Sequence, residues 1–189
     1  MFLLRHGQSY FNLHFSETRV DPGIEDPELT PLGHEQALAA AALLAEARIT
    51  RIIISPYTRA LETAEPFLAV HKVPVDIMHE VRERKAFVCD VGSSRNLLAD
   101  RFPHHDFADL PEQWWHHGVE SKEDTIARAD AFRTLMADRD DSATTLLISH
   151  WGFILALTGI SVMNGEILEY DPKTGRRSES SGTHDQETA

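Results

Sequence analysis

The sequence predicts an α/β protein: a three-layer α/β/α sandwich around a mixed, mostly parallel sheet. Three observations carry this. Short apolar runs at Phe2–Leu4, Arg51–Ile54 and Thr144–Ile148 have the length and unbroken hydrophobicity of strands buried on both faces. Helix-forming stretches alternate with them, as βαβ connections require. Each run also ends abruptly in polar, chemically capable residues, where open α/β sheets carry their ligand sites.

Taken in order, Phe2-Leu3-Leu4 delivers Arg5, His6 and Gly7 to a strand end. Arg5 is a permanent forked cation suited to phosphate or carboxylate, and His6 is a nucleophile or proton carrier at neutral pH. Gly7 is expected to allow a tight turn and a close backbone approach to a ligand. Residues 13 to 28 hold Asp21-Pro22-Gly23 and Asp26-Pro27 and read as turns and loop. Thr30-Pro31 reads as a helix start, with the Ala- and Leu-rich stretch from His34 to Ala47 as its body.

The β-branched run Arg51–Ile54 leads into Ser55-Pro56, read as a cap and first helical residue. That puts Arg59 near a helix N-terminus. As a surface residue, Arg59 would pair with Glu62 or Glu65. Val73–Met78 reads as a strand, placed at an edge by Pro74. It opens onto His79-Glu80-Val81-Arg82-Glu83-Arg84, carboxylates among cations just past a strand end, where either Glu80 or Glu83 could serve as a general acid. Ser93 or Ser94 is expected to cap a short helix through Arg101.

Residues 102 to 122 are irregular and aromatic, and read as a partly buried flap beside the site. The pairs His104-His105 and His116-His117 lack the spacing of a zinc site, and neighbours on an extended strand face opposite ways, so no metal is assigned. Glu123–Arg139 is amphipathic, with Ile126, Ala129, Phe132, Leu135 and Met136 expected in the core. Thr144–Ile148 ends in Ser149-His150-Trp151-Gly152, a second strand delivering a histidine. Phe153–Leu157 reads as a buried helix, Asn164-Gly165 as a turn and Glu166–Tyr170 as a last strand. One domain is expected over residues 1–170, followed by a polar, disordered tail over 171–189.

The 189 residues carry a net charge of -12, which disfavours nucleic acid and anionic membranes as partners. A single cysteine, Cys89, excludes an internal disulfide and is compatible with a reducing compartment. No stretch is apolar enough for a membrane span, and a strand starting at Phe2 leaves no room for a signal peptide, so a cytoplasmic location is expected. Oligomeric state is not legible.

Strand ends thus offer Arg5 with His6, Arg59, Glu83 and His150. Two arginines, two histidines and a carboxylic acid are what phosphoryl transfer through a phosphohistidine requires. Here a resemblance enters. Arg5-His6-Gly7-Gln8-Ser9 with Asn12, Leu29 through Ala37, Ser55-Pro56 through Ala64, Val81 through Arg84 and Ser149 through Gly152 resemble, in order, the motif blocks of the histidine phosphatase superfamily, in the branch related to phosphoglycerate mutase. The resemblance implies a nucleophile at His6, phosphoryl binding by Arg5, Arg59 and His150, proton transfer by Glu83 and a pocket contribution from Asn12. It implies no metal and no organic cofactor.

Trp151 stands where many members carry a small residue. The chain lacks a Gly-Trp element after Asn12 and is compact between Glu83 and His150, unlike the mutases. Hydrolysis of a small phosphomonoester, or of a phosphoprotein, is therefore expected. Mutase-type transfer is the alternative, followed by a non-catalytic phospholigand-binding module. The leaving-group lining is expected from residues 13 to 28 and 84 to 122.

Overall fold

A computed structural model describes residues 1–175. The tail expected beyond Asp171 falls outside the described residues from 176 onward, and Asp171–Gly175 forms a bridge and turn. Among the described residues, strands β1 (Phe2–Arg5), β2 (Arg51–Ile54), β3 (Val75–Ile77), β4 (Thr145–Ser149) and β5 (Ile167–Glu169) form one sheet in the order β3-β2-β4-β1-β5. The first four run parallel, and β5 pairs antiparallel with β1 at one edge. β3 is the other edge, where Pro74 ahead of it does no harm.

Strand side chains alternate between faces, and that alternation divides the core in two. Leu4, Ile52, Ile54, Leu146 and Ile148 pack beneath α2 (Pro31–Leu43) and α3 (Thr58–Val70), joined by Leu98 of α4 (Arg95–Arg101). Leu3, Ile53 and Leu147 pack on the opposite side against α5 (Lys122–Ala137) and α6 (Trp151–Thr158). The α/β/α layering expected from sequence is therefore present. Ala37, Ala40 and Ala41 are the buried face of α2, small enough to bring that helix close to its neighbours.

Three sequence expectations about the helices are corrected. Residues 10–18, of which 13–18 were assigned to a loop, form helix α1 (Tyr10–Thr18), because Ser9 and Asn12 make a reciprocal capping box. Helix α3 begins at Thr58, not at Pro56, and its N-cap Tyr57 has no side-chain cap. Asp26 supplies the missing acceptor from the distant loop: its Oδ1 takes the Thr58 N–H at 2.9 Å and its Oδ2 the Thr58 hydroxyl at 2.8 Å. Ile126 and Leu135 are exposed, since the buried stripe of α5 runs through Thr125, Ala129, Phe132 and Met136.

The aromatic 102–122 segment is also not a flap beside the site. Phe102, Phe107, Leu110 and Trp114 belong to the α2/α3-side core, and Trp114 packs edge-on against Tyr57 at 4.6 Å. None of the described helices is long and apolar enough to cross a membrane.

Candidate active site

The sheet register itself brings the two histidines together. Arg5 pairs with Ser149 across the parallel β1–β4 ladder, so the next residues, His6 and His150, leave the sheet side by side. Their rings lie 5.0 Å apart. Ile54 pairs with Ile148 on the other flank of β4, which sets Ser55 beside His150; the Ser55 Oγ lies 2.7 Å from His150 Nε2. Ser55 therefore serves a histidine rather than a helix end.

His6 is buried, and its Nδ1 lies 2.7 Å from the Gly7 carbonyl oxygen. A carbonyl only accepts, so Nδ1 carries the proton and Nε2 keeps a free lone pair. Burial pushes the His6 pKa well below its usual value, and the charges of Arg59 and Arg5 push the same way. The result is a neutral imidazole set among cations. His150 is held neutral by the same causes, burial first and then Arg59, His6 and Arg5. Its Nδ1 is buried without a hydrogen-bond partner.

The two arginines are fixed differently. Arg5 donates from Nη1 to the Val162 carbonyl at 2.8 Å, while its buried Nε has no partner. Arg59, in the first turn of α3, donates to the Cys89 carbonyl at 2.9 Å and to Asp90 Oδ1 at 3.2 Å, and its guanidinium stacks over Tyr57 at 4.2 Å. Burial opposes the Arg59 charge, but Cys89 and Asp90 more than compensate, and its pKa stands above the usual value. It pairs with neither Glu62 nor Glu65; those meet Arg101 and His104.

Glu83 receives the Arg84 N–H on Oε1 at 2.7 Å and the Gly152 N–H on Oε2 at 3.0 Å. Burial, followed by the nearby Asp90 charge, raises its pKa; the two N–H bonds oppose this and do not cancel it. A Cβ on Gly152 would stand 2.3 Å from Glu83 Oε1, so only glycine lets the two come this close. The segment carrying Glu83 is anchored on each side. Val81 is fully buried, and its carbonyl accepts the Ser149 hydroxyl at 2.7 Å. Arg82 turns away to the buried carboxylate of Glu120, which also takes Arg128. The rival Glu80 is exposed beside His79 and does not reach the cavity.

A cavity of about 340 Å³ opens at this edge, lined among others by Arg5, His6, Asn12, Arg59, Glu83 and Trp151. Of the residues expected from sequence, these five site residues and Trp151 therefore share one space, with His150 in ring contact with His6. Gly7 does not line it. A Cβ there would meet the Gly33 carbonyl oxygen at 2.3 Å, and one on Gly33 would meet the Gln8 carbonyl oxygen at 2.1 Å. The close approach Gly7 permits is to α2, not to a ligand. Asn12 does line the cavity, but its Oδ1 is engaged by the Ser9 N–H at 3.0 Å and by Asn164 Nδ2 at 3.2 Å.

The outer lining comes from Phe15, Arg19, Arg84, Ala86 and Phe87. Residues 102–122 contribute nothing to it. Phe15, Arg19, Arg84, Ala86, Phe87 and Asp90 fall in the ranges 13 to 28 and 84 to 122 expected to line it, but no particular role was expected of Asp90 or Gly152. Gly152 stands next but one to a strand-end histidine, a signal that could have been read; nothing local singles out Asp90.

Away from the cavity, Pro103-His104-His105 turns rather than extends, which brings the two imidazoles 4.4 Å apart, contrary to the strand argument. Glu65, His104 and His105 there offer ligand atoms within 4.8 Å of one another. The 2.8 Å contact of His104 Nε2 with Glu65 is an ion-pair geometry in its own right.

A sequence model described as "Histidine phosphatase superfamily (branch 1)" matches residues 1–176. The chain belongs to the histidine phosphatase superfamily. It is 31% identical to a glucosyl-3-phosphoglycerate phosphatase of Mycolicibacterium vanbaalenii, over 89% of this chain and 78% of that protein. Its fold superposes on a mycobacterial glucosyl-3-phosphoglycerate phosphatase solved with VO3 (TM-score 0.62, 23% identity, 94% of this chain and 95% of that one). It also superposes on Bacillus stearothermophilus YhfR (TM-score 0.63, 19% identity, 94% and 93%). The relatives it matches in sequence are phosphatases by name, and this chain is a phosphatase of the same superfamily.

Proposed function

We propose that the protein hydrolyses small phosphomonoesters through a phosphohistidine on His6, with Glu83 as general acid and then general base. The observation that carries this is the state of His6: a buried, neutral imidazole with Nδ1–H tied to the Gly7 carbonyl, beside Arg5, Arg59 and His150. Nε2 attacks phosphorus, the bond to the alcohol oxygen breaks, and Glu83 gives that oxygen its proton. Arg5 and Arg59, with the unpartnered Arg5 Nε and His150 Nδ1, meet the phosphoryl oxygens as charge develops on them. Water then attacks the phosphohistidine, Glu83 takes its proton, and inorganic phosphate leaves with His6 neutral again.

The raised pKa of Glu83 supports its role, since a general acid must still hold its proton near neutral pH. Hydrolysis is favoured over mutase transfer by the relatives, which are named phosphatases, and glucosyl-3-phosphoglycerate is the first natural substrate to try. The test is phosphate release from an aryl phosphate and from glucosyl-3-phosphoglycerate by the parent and by His6→Ala. Release by the parent and its loss in the variant are expected. Undiminished turnover by a folded His6→Ala would remove His6 from the mechanism.

A further inference from the structure

We infer that the outer half of the cavity is a leaving-group subsite for phosphomonoesters whose alcohol carries a flat apolar ring and, beside it, a second anionic group. The inference rests on the phosphatase reading and goes beyond it to substrate class.

Charge is the first observation. Four arginines line the cavity, Arg5, Arg19, Arg59 and Arg84, against two carboxylates, Glu83 and Asp90. Asp90 is consumed by Arg59. Arg5 and Arg59 face the phosphoryl dianion, and Glu83 must carry a proton to act as acid. Arg19 and Arg84 remain, and neither has a carboxylate within salt-bridge distance among the described residues. The Arg19 guanidinium stacks on Phe15 at 5.8 Å, and the Arg84 side chain makes no hydrogen bond among the described residues. In a chain of net charge -12, two uncommitted cations at the mouth of an anion site mark a place where the ligand brings more negative charge than its phosphate.

Shape is the second observation. Phe11, Phe15 and Phe87 form a closed triangle of ring contacts at 5.2, 5.3 and 5.1 Å, and all three line the cavity. Phe87 is 40% exposed there, an aromatic face left uncovered. It is held in place, because Asp90 Oδ2 accepts the N–H groups of both Ala86 and Phe87 at 3.0 and 3.1 Å. Rigid aromatic faces reward a ring laid against them and give little to a hydrated polyol chain. Arg19 ends α1 in the left-handed region, at φ 58°, and its guanidinium lies over Phe15, so the cation and the aromatic wall are adjacent.

Four phosphates of primary alcohols separate the two features without changing leaving-group chemistry: glycerol 3-phosphate, 3-phosphoglycerate, benzyl phosphate and benzyl phosphate bearing a para-carboxylate. Expected kcat/KM rises about tenfold for the ring and about tenfold for the carboxylate, highest for the compound with both. Arg19→Ala should collapse the carboxylate ratio and Arg19→Lys preserve it. Phe87→Ala should collapse the ring ratio and Phe87→Tyr preserve it, with thermal midpoints confirming that each variant folds. Equal efficiency on all four substrates, or ratios unmoved in folded variants, overturns the subsite alone. No turnover of any of them, with no phosphoenzyme formed, overturns the phosphatase reading and the subsite with it.

Discussion

The floor and the mouth of the cavity are built on opposite terms. The floor hangs from the sheet: Arg5, His6 and His150 follow directly from the paired ends of β1 and β4, and both histidines are buried. The mouth is made from the end of α1, the 84–90 segment and the first residue of α6, with Phe87 and Trp151 each about two-fifths exposed. On the proposed mechanism, reaction geometry is tied to the sheet, and the leaving group meets residues that stand off the ladder. Asp90 joins the two, taking Arg59 on one carboxylate oxygen and the Ala86 and Phe87 amides on the other.

The largest effect should come from the floor. Glu83→Gln removes the transferable proton, and kcat for alkyl phosphates should fall by about a hundred- to ten-thousandfold, with KM changing far less. A similar loss in KM alone would move Glu83 from chemistry to binding. Gly152→Ala tests the same carboxylate from behind. The added methyl displaces Glu83, and kcat/KM should fall by about a hundredfold while the fold persists.

Asp90→Asn should act at the joint. It withdraws a negative charge that helps raise the Glu83 pKa, so the alkaline limb of the kcat/KM profile, where Glu83 loses its proton, should move to lower pH. It also leaves buried Arg59 without its ion partner, at a cost of about 3 kcal/mol of stability. An unmoved limb would separate Asp90 from Glu83. Trp151→Ala, at the mouth, should change KM by less than about tenfold and kcat less still.

The smallest effect on turnover should come from a residue in neither region. Burial lowers the His105 pKa to about 4, and the neighbouring His104 adds to this. The unfolded chain therefore binds a proton there that the folded one refuses between about pH 6.5 and 4. Stability should fall as pH drops through that window. His105→Gln should flatten the decline in thermal midpoint and leave kcat/KM at pH 7 as it was.

The floor was legible in sequence because it rests on local rules: apolar runs ending in Arg-His and Ser-His, and a parallel sheet that sets such ends side by side. The layering was legible for the same reason. The mouth was not. Phe15 and Arg19 fell in a stretch read as loop from Asp21-Pro22-Gly23 and Asp26-Pro27, and the Ser9–Asn12 capping box that starts α1 went unread. The aromatic 102–122 segment suggested a flap, yet Trp114 fills space against Tyr57, a contact between residues 57 positions apart that no local pattern encodes. Asp26 capping α3 and Gly152 making room for Glu83 are likewise long-range facts.

The central claim, a covalent intermediate on His6, is tested most directly by rapid acid-free quench of the enzyme with a ³²P-labelled phosphomonoester, followed by peptide mapping. The account predicts transient label that is stable to alkali, lost in acid and confined to the peptide containing His6. Label on another residue, or none during measurable turnover, would contradict it.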